Sequence, residues 1–494
     1  MAAVHEDMPP MAVSLREKVM RRKPVRVMTA ETGADTDSGE LARTIGLFQL
    51  TLFGVGATIG TGIFIVLTQA VPIAGPAVVW SFAMAGLVAG LTAICYAELA
   101  SAVPVSGSSY SYAYATLGEG VAMVVAACLL LEYGVSAAAV AVGWSQYLNE
   151  LLDNLFGFTI PDALSNAPEA GGVFNVPAVV LVLLCTLLLL RGASESAKVN
   201  AIMVMTKIGV LVLFVVVGLQ GWSSDNLSHF APFGVDGITS AAGIIFFSYI
   251  GLDAVSTAGE EVKNPRRNLP LAIVGALVTV TALYVAVAIV AVAAQPLRAF
   301  DGQEAGLANI LEGVTGASWP ASVLAAGAVI SIFSVTLVVI YGQTRILFAM
   351  SRDGMIPPLF HRLNPRTLTP VHSTIIVAVL ISLLAGVLPI NFLAEMTSIG
   401  TLVAFLVVSI GVMVLRRTQP DLPRGFRVPL YPIVPIASIA GCIWIIRDLR
   451  FVTIAVFVIW ASVALAWYFL YGIRHSTVGK DRAAAAAAAS EGTA

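Results

Sequence analysis

Long apolar runs, each about one bilayer crossing in length, alternate with short polar segments along most of the chain. A spanning helix needs about 20 mainly apolar residues. Reading for such runs predicts twelve helices, at 46–69, 77–101, 119–149, 174–190, 199–221, 237–261, 269–295, 318–350, 372–389, 393–415, 429–446 and 452–473. The third and eighth are long enough to tilt or to run on into water. The longest intervening segment, 150–173, carries Pro161, Pro168, Gly171 and Gly172 and reads as an irregular loop with one short helix. The pattern predicts an all-α integral membrane protein.

Composition strengthens this. Apolar residues make up 58% of the 494 and charged residues 11%, against roughly 25% charged in soluble domains. A chain so poor in charge cannot cover itself for water, and the loops are too short for a soluble catalytic domain. Cys95, Cys128, Cys185 and Cys442 all fall inside apolar runs at no metal spacing, so they read as small buried hydrophobes. The polar head Glu31–Glu40 and the alanine-rich end read as tails without fold, and the late first apolar run argues against a cleaved signal peptide. Arg21, Arg22 and Lys23 read as a solvated topology signal or as a contact to an anionic leaflet. Trp80, Trp144, Trp222 and Trp319 fall near span ends, as in an aromatic belt.

The charges also set an orientation. With twelve spans and an inside N-terminus, 23 of the 27 Lys and Arg fall in inside segments and 3 outside (Arg298, Arg447, Arg450), leaving Lys207 within a span. Such a bias is the positive-inside pattern, and a miscount of one span would scramble it. Both termini are therefore expected in the cytoplasm.

Two runs are interrupted. The first carries Gly54, Gly56, Gly60 and Gly62 near mid-span, and the sixth carries Gly251 and Asp253. Glycine costs about 1 kcal/mol against alanine inside a helix. Close helix packing uses the same glycines. Unwinding at both places would instead bare backbone groups at membrane depth, tolerable only around a cavity. Paired breaks in matching halves point to an inverted-repeat transporter. The expected layout is a tail at 1–44, a first repeat at 45–221, a second at 237–416, two further helices at 429–473 and a tail at 474–494. A half-helix N-terminus suits a carboxylate, and unwound carbonyls suit an ammonium. A free amino acid carries both.

Ionisable groups inside spans are functional candidates. Lys207, in the fifth, can gain and lose a proton as access alternates, or can serve as a structural tether. Glu132, in the third, can sense a cationic side chain, bind a proton or balance Lys207. Asp253 can help hold the substrate amine or cap the second half of its helix. Glu98 reads as a structural anchor. His229, His361 and His372 lie at loops or span edges without metal spacing.

The segments GVGATIGTGIF (54–64), AICYAELASAVPVSGSSYSYAYATLGE (93–119), LEYGVSAAAVAVGWS (131–145), ESAKVN (195–200), FFSYIGLDAVSTAGEEVKNPRRNLP (246–270) and GQTRILFAMSRDGMIPP (342–358) resemble the amino acid–polyamine–organocation (APC) superfamily. More narrowly, they resemble bacterial members of its cationic amino acid transporter (CAT) family. The resemblance covers about 41–475 and implies a LeuT-like five-plus-five inverted repeat with two extra helices. It implies that Gly60, Thr61 and Gly62, with Ile59 beside them, bind the substrate carboxylate. Carbonyls of Thr58 and near Phe247, Ser248 and Ile250 would take the α-ammonium, with Asp253 close by. Phe247 would cover the site as an inner gate. Lys207 matches a lysine of proton-coupled members, where its ammonium stands in for a sodium ion.

Together these imply a proton-coupled L-amino acid importer of a bacterial cytoplasmic membrane, working by alternating access. Its expected partners are the amino acid, protons and the bilayer, with no cofactor, metal or nucleic acid; the oligomeric state is left open, with a monomer among the options. One net charge moved inward gains about 2.3 kcal/mol per 100 mV, which supports roughly fifty-fold accumulation. An amino acid or polyamine exchanger of the same fold, and a nontransporting sensor, remain as alternatives. No paired acid, base and nucleophile suggests an enzyme.

Overall fold

A computed structural model of the chain describes residues 14–25, 28, 45–103, 108–191, 197–257, 262–364 and 369–481. The polar head at 31–40 and the alanine-rich end lie outside them. The described residues are helical throughout, apart from turns, loops and one parallel bridge between Ile45 and Val262.

A short helix α1 (Leu15–Val19) precedes the membrane region. The first apolar segment is α2 (Leu47–Thr58), which resumes past a break as a π-helical turn (Gly62–Val66) and α3 (Leu67–Ala74). Gly75, at φ +66°, ends it and leads into α4 (Val78–Ala102). A short α5 (Ser108–Thr116) joins α4 to α6 (Glu119–Phe156). After α7 (Asp162–Ser165) come α8 (Val176–Leu190) and α9 (Ala197–Gly218). The sixth segment is split into α10 (Gly234–Ile245) and α11 (Ala254–Thr257). The rest are α12 (Pro265–Ala294), a short α13 (Gly306–Thr315), α14 (Ser318–Arg352), α15 (Val371–Val387), α16 (Ile390–Thr418), α17 (Ile433–Arg447), α18 (Phe451–Trp467) and α19 (Ile473–His475). The chain is thus a multi-pass membrane protein with apolar helices at all twelve predicted places.

Helix ends differ from the apolar runs for local reasons. The third helix continues seven residues past its expected end, through Glu150, Asp153 and Asn154. Polarity ends an apolar run but not a helix. Gly157 in the left-handed region (φ +61°) stops it, its N–H returning to the Asp153 carbonyl at 2.8 Å. Asn175 starts α8 by accepting from the Ala178 N–H at 3.1 Å. The 150–173 loop holds α7 and a 3₁₀ turn at Pro168–Ala170.

Two packing units flank the site. The broken helices pack on α4 and α12, while the long α6 and α14 lie along one another and α6 also packs on α16. All four cysteines are buried thiols. Trp80, Trp222 and Trp319 are exposed on the helical surface. Trp144 departs from the belt: it is buried and donates to the Val329 carbonyl at 3.1 Å, joining α6 to α14.

The basic run corrects a second expectation. Lys23 is 5% exposed and Arg21 8%, so neither is solvated. The Lys23 ammonium pairs with Asp353 at 3.0 Å, and Tyr110 donates to the other oxygen of that carboxylate at 2.8 Å. The Arg21 carbonyl receives the Glu119 N–H. Glu119 in turn accepts from Tyr114, Tyr468 and Ser476. Glu98 anchors another loop at a helix end, accepting from Arg416 and from the Val428 N–H, with Arg424 at 3.5 Å.

Candidate functional site

At the first break α2 ends on Thr58, and Ile59 leaves helical geometry with ψ 92°. The glycines around it pay an entropic penalty for staying helical. Gly54 stays inside α2 for a different reason. A methyl there would sit 2.6 Å from Val255 and 2.9 Å from Ala276, so this glycine permits close packing.

A helix C-terminus leaves its last carbonyls without intrahelical partners. Here side chains from other helices take two of them, at Gly56 and Thr58, while the Thr58 hydroxyl adds a bond back inside the helix. Thr58 Oγ1 donates to the Gly54 carbonyl at 2.8 Å. The Lys207 ammonium, from α9, donates to Gly56 at 2.8 Å. The Tyr284 hydroxyl, from α12, donates to Thr58 at 3.0 Å. Lys207 is almost fully buried, and its amine sits at the carbonyl end of the half-helix, the negative end of the dipole.

At the second break α10 tightens into a 3₁₀ turn, Phe246–Tyr249, and Ile250 turns extended (φ −67°, ψ 148°). Gly251 follows at φ +92°, a conformation that side chains rarely adopt. The two breaks touch backbone to backbone. A methyl at Gly251 would lie 2.5 Å from the Ala57 carbonyl oxygen, and one at Gly62 would lie 2.5 Å from the Ser248 Cα.

A cavity opens against this contact. The first break contributes Ala57, Thr58, Gly60, Thr61 and Gly62, and the second contributes Phe247, Ile250 and Gly251. The opposite wall is a stripe on α6 (Glu132, Tyr133, Ser136, Val140) and a pair on α14 (Val335, Val339). The positions 132, 136 and 140, and 335 and 339, follow the four-residue spacing that puts side chains on one helix face.

Of the residues named from the sequence, Thr58, Gly60, Thr61, Gly62, Glu132, Phe247 and Ile250 line this cavity. Thr61 is held by its hydroxyl, which donates to the Val140 carbonyl at 3.2 Å. Ile59 and Ser248 are buried beside the lining. One Glu132 oxygen and the Ser248 hydroxyl are buried without a hydrogen-bond partner among the described residues. Asp253 points elsewhere: one carboxylate oxygen accepts from Ser108 and Tyr133, each at 3.1 Å. It ties the start of α11 to α5 and α6. Lys207 lies behind the first break, outside the lining.

Sequence reasoning passed over Tyr284, Tyr133 and Ser108. Tyr284 was the findable one, a hydroxyl in the otherwise apolar stretch ALYVAVAIV, where a buried donor must find an acceptor. The polarity of Tyr133 was overshadowed by its charged neighbour, and Ser108 sits in a loop-like serine run. Among the described residues no group of three His, Cys, Asp or Glu could hold a metal.

The fold and site define a polytopic membrane protein with a backbone-lined cavity between two interrupted helices, the build of a small-solute permease. The family model for amino acid permeases matches residues 45–478, and the chain belongs to that family. Its relatives are permeases and transporters, and the chain is not an enzyme. It is 43% identical over 466 residues to a methylthioribose transporter of Bacillus subtilis (strain 168), covering 94% of this chain and 99% of that one. It is 41% identical over 470 residues to the branched-chain amino acid permease BcaP of the same organism, covering 94% and 100%. It is 39% identical over 389 residues to the vacuolar cationic amino acid transporter 4 of Arabidopsis thaliana, covering 77% and 64%.

Proposed function

We propose that this permease imports L-amino acids by proton symport with alternating access, in the cytoplasmic membrane of a bacterium and with both termini inside. The single observation that carries this is the meeting of two helix breaks at one cavity. A carbonyl end of α2 and an amide end at Gly60–Gly62 face the same space. The first suits an ammonium and the second a carboxylate. The halves 45–221 and 237–416 then act as inverted repeats, with 429–473 added outside them.

In this scheme the amides of Ile59–Gly62 hold the carboxylate. The carbonyls of Thr58, Phe247 and Ile250 hold the ammonium. The substrate side chain extends toward the stripe of Glu132, Ser136, Val140, Val335 and Val339. Phe247 closes over the site from the inner side, and Ser248 and Asp253 hold the second break in place. Lys207 binds the coupled proton. Charged, it tethers the end of α2 through Gly56. Neutral, it weakens that tether and favours release inside. Glu132 adds a carboxylate that can bind a proton or read the side chain.

A second substrate class has one specific support, the relative described as a methylthioribose transporter. A neutral thio-sugar has neither ammonium nor carboxylate, and would use the same break carbonyls and amides through hydroxyl groups. Proteoliposome uptake separates the two. L-leucine, L-alanine and L-arginine are tested against methylthioribose, with and without an inward proton gradient. Gradient-driven amino acid uptake supports the proposal. Uptake of methylthioribose alone would replace the substrate, and amino acid uptake indifferent to the gradient would replace symport with exchange or facilitated diffusion.

A further inference from the structure

We propose that Tyr284 is a positioning residue for the ligand's amine, acting through the Thr58 carbonyl. This rests on the amino acid reading above. Thr58 is the last residue of α2 and lines the cavity. Past the break its carbonyl loses the regular ladder that would orient it. The Tyr284 hydroxyl supplies the orientation, donating to that oxygen at 3.0 Å from a fully buried ring. A carbonyl oxygen has two lone pairs, so a ligand's N–H can use the second.

The ring is itself held. Tyr284 meets Phe82 edge-on with centroids 6.0 Å apart, and Tyr249 edge-on at 5.6 Å. Tyr249 belongs to the 3₁₀ turn of the second break, and its hydroxyl donates to the Phe82 carbonyl at 2.9 Å. One aromatic cluster thus runs from the second break, over α4, to the carbonyl end of the first. Movement of the second break would reach Thr58 through Tyr284.

Two effects oppose each other at a shared carbonyl. A first donor draws electron density from the oxygen and slightly weakens the second bond. It also removes the freedom of an unladdered peptide unit, which a ligand would otherwise have to freeze. Ordering a peptide outweighs this polarisation, so the hydroxyl favours binding.

The test is counterflow of labelled L-leucine, L-alanine or L-arginine in proteoliposomes, using whichever the wild type carries. Tyr284→Phe keeps the ring and removes the hydroxyl. It is expected to raise KM about five- to tenfold, with the saturated rate close to wild type. Tyr468→Phe removes a buried tyrosine hydroxyl that bonds Glu119, outside the cavity, and is expected to leave KM unchanged. An unchanged KM in Tyr284→Phe, or equal losses of rate in both variants, overturns the proposal. If Tyr284→Phe does not fold, difluorotyrosine placed at 284 keeps ring and hydroxyl but strengthens the donor. A changed KM at constant rate then supports the role, and an unchanged KM overturns it. Failure of the wild type to carry any amino acid would sink the substrate reading itself, which these variants leave distinguishable.

Discussion

The ammonium of Lys207 donates at 2.8 Å to the carbonyl of Gly56, two residues before the helix break. A side chain from α9 therefore caps the half-helix that ends at the cavity. Lys207→Ala removes that cap and the proposed proton carrier together. Gradient stimulation of uptake is expected to vanish, while counterflow stays within about threefold of wild type, since the ligand contacts remain. Gradient stimulation that survives in Lys207→Ala would end the case for this residue as the coupling site.

Gly62 and Ser248 give a packing prediction. A methyl at Gly62 would meet the Ser248 Cα at 2.5 Å as well as its Oγ at 2.6 Å, so turning a side chain cannot clear it. Gly62→Ala is expected to cost about 1–3 kcal/mol through overpacking and to abolish ligand binding. Gly313, inside α13, has nothing within 4 Å of a built methyl. Gly313→Ala should instead stabilise by about 0.5–1 kcal/mol through backbone entropy. Thermal midpoints and ligand binding in detergent measure both, and similar behaviour of the two variants would refute the backbone contact.

Lys23 and Asp353 are both almost buried and 3.0 Å apart. Removing one partner of such a pair costs about 3 kcal/mol, because the other charge is left in a poor solvent. Lys23→Ala and Asp353→Ala are each expected to lower the thermal midpoint, and the double variant to lose less than the sum of the two. Additive losses in this cycle would mean that the pair is not coupled.

Glu132 is the carboxylate in the wall opposite the breaks. Glu132→Gln keeps size and removes the capacity to ionise. Competition by L-arginine relative to L-leucine should fall about tenfold, the scale of one charge-assisted hydrogen bond. Inhibition constants measured for both ligands decide it, and an unchanged ratio would show that Glu132 does not read the side chain.

The helices were legible because lipid leaves a simple record of length and apolarity. The same record left open whether α6 tilts or runs on, and the helix does run on, through Glu150 and Asp153, past the point where hydropathy ends it. Glycine placed both breaks, since backbone freedom is written in residue type. Their mutual contact was not written there, because the distance between residues 62 and 248 depends on how whole helices cross. Polar partners were the least legible. Asp253 could be seen as buried, but its choice of Ser108 and Tyr133 depends on α5 and α6 arriving beside it. Lys23 looked like an ordinary flanking charge until Asp353, far along the chain, came within reach.

Residues near the two ends of the chain meet at one patch. Thr477 donates its N–H to the Asp353 carbonyl at 3.2 Å, next to the carboxylate that holds Lys23, while Ser476 and the Arg21 carbonyl both bond Glu119. Arg21 and Ser476 therefore meet on Glu119 at one end of the helix bundle. Labels placed beside Arg21 and Ser476 would start from adjoining points, and energy transfer between the two would register the opening of that end of the bundle.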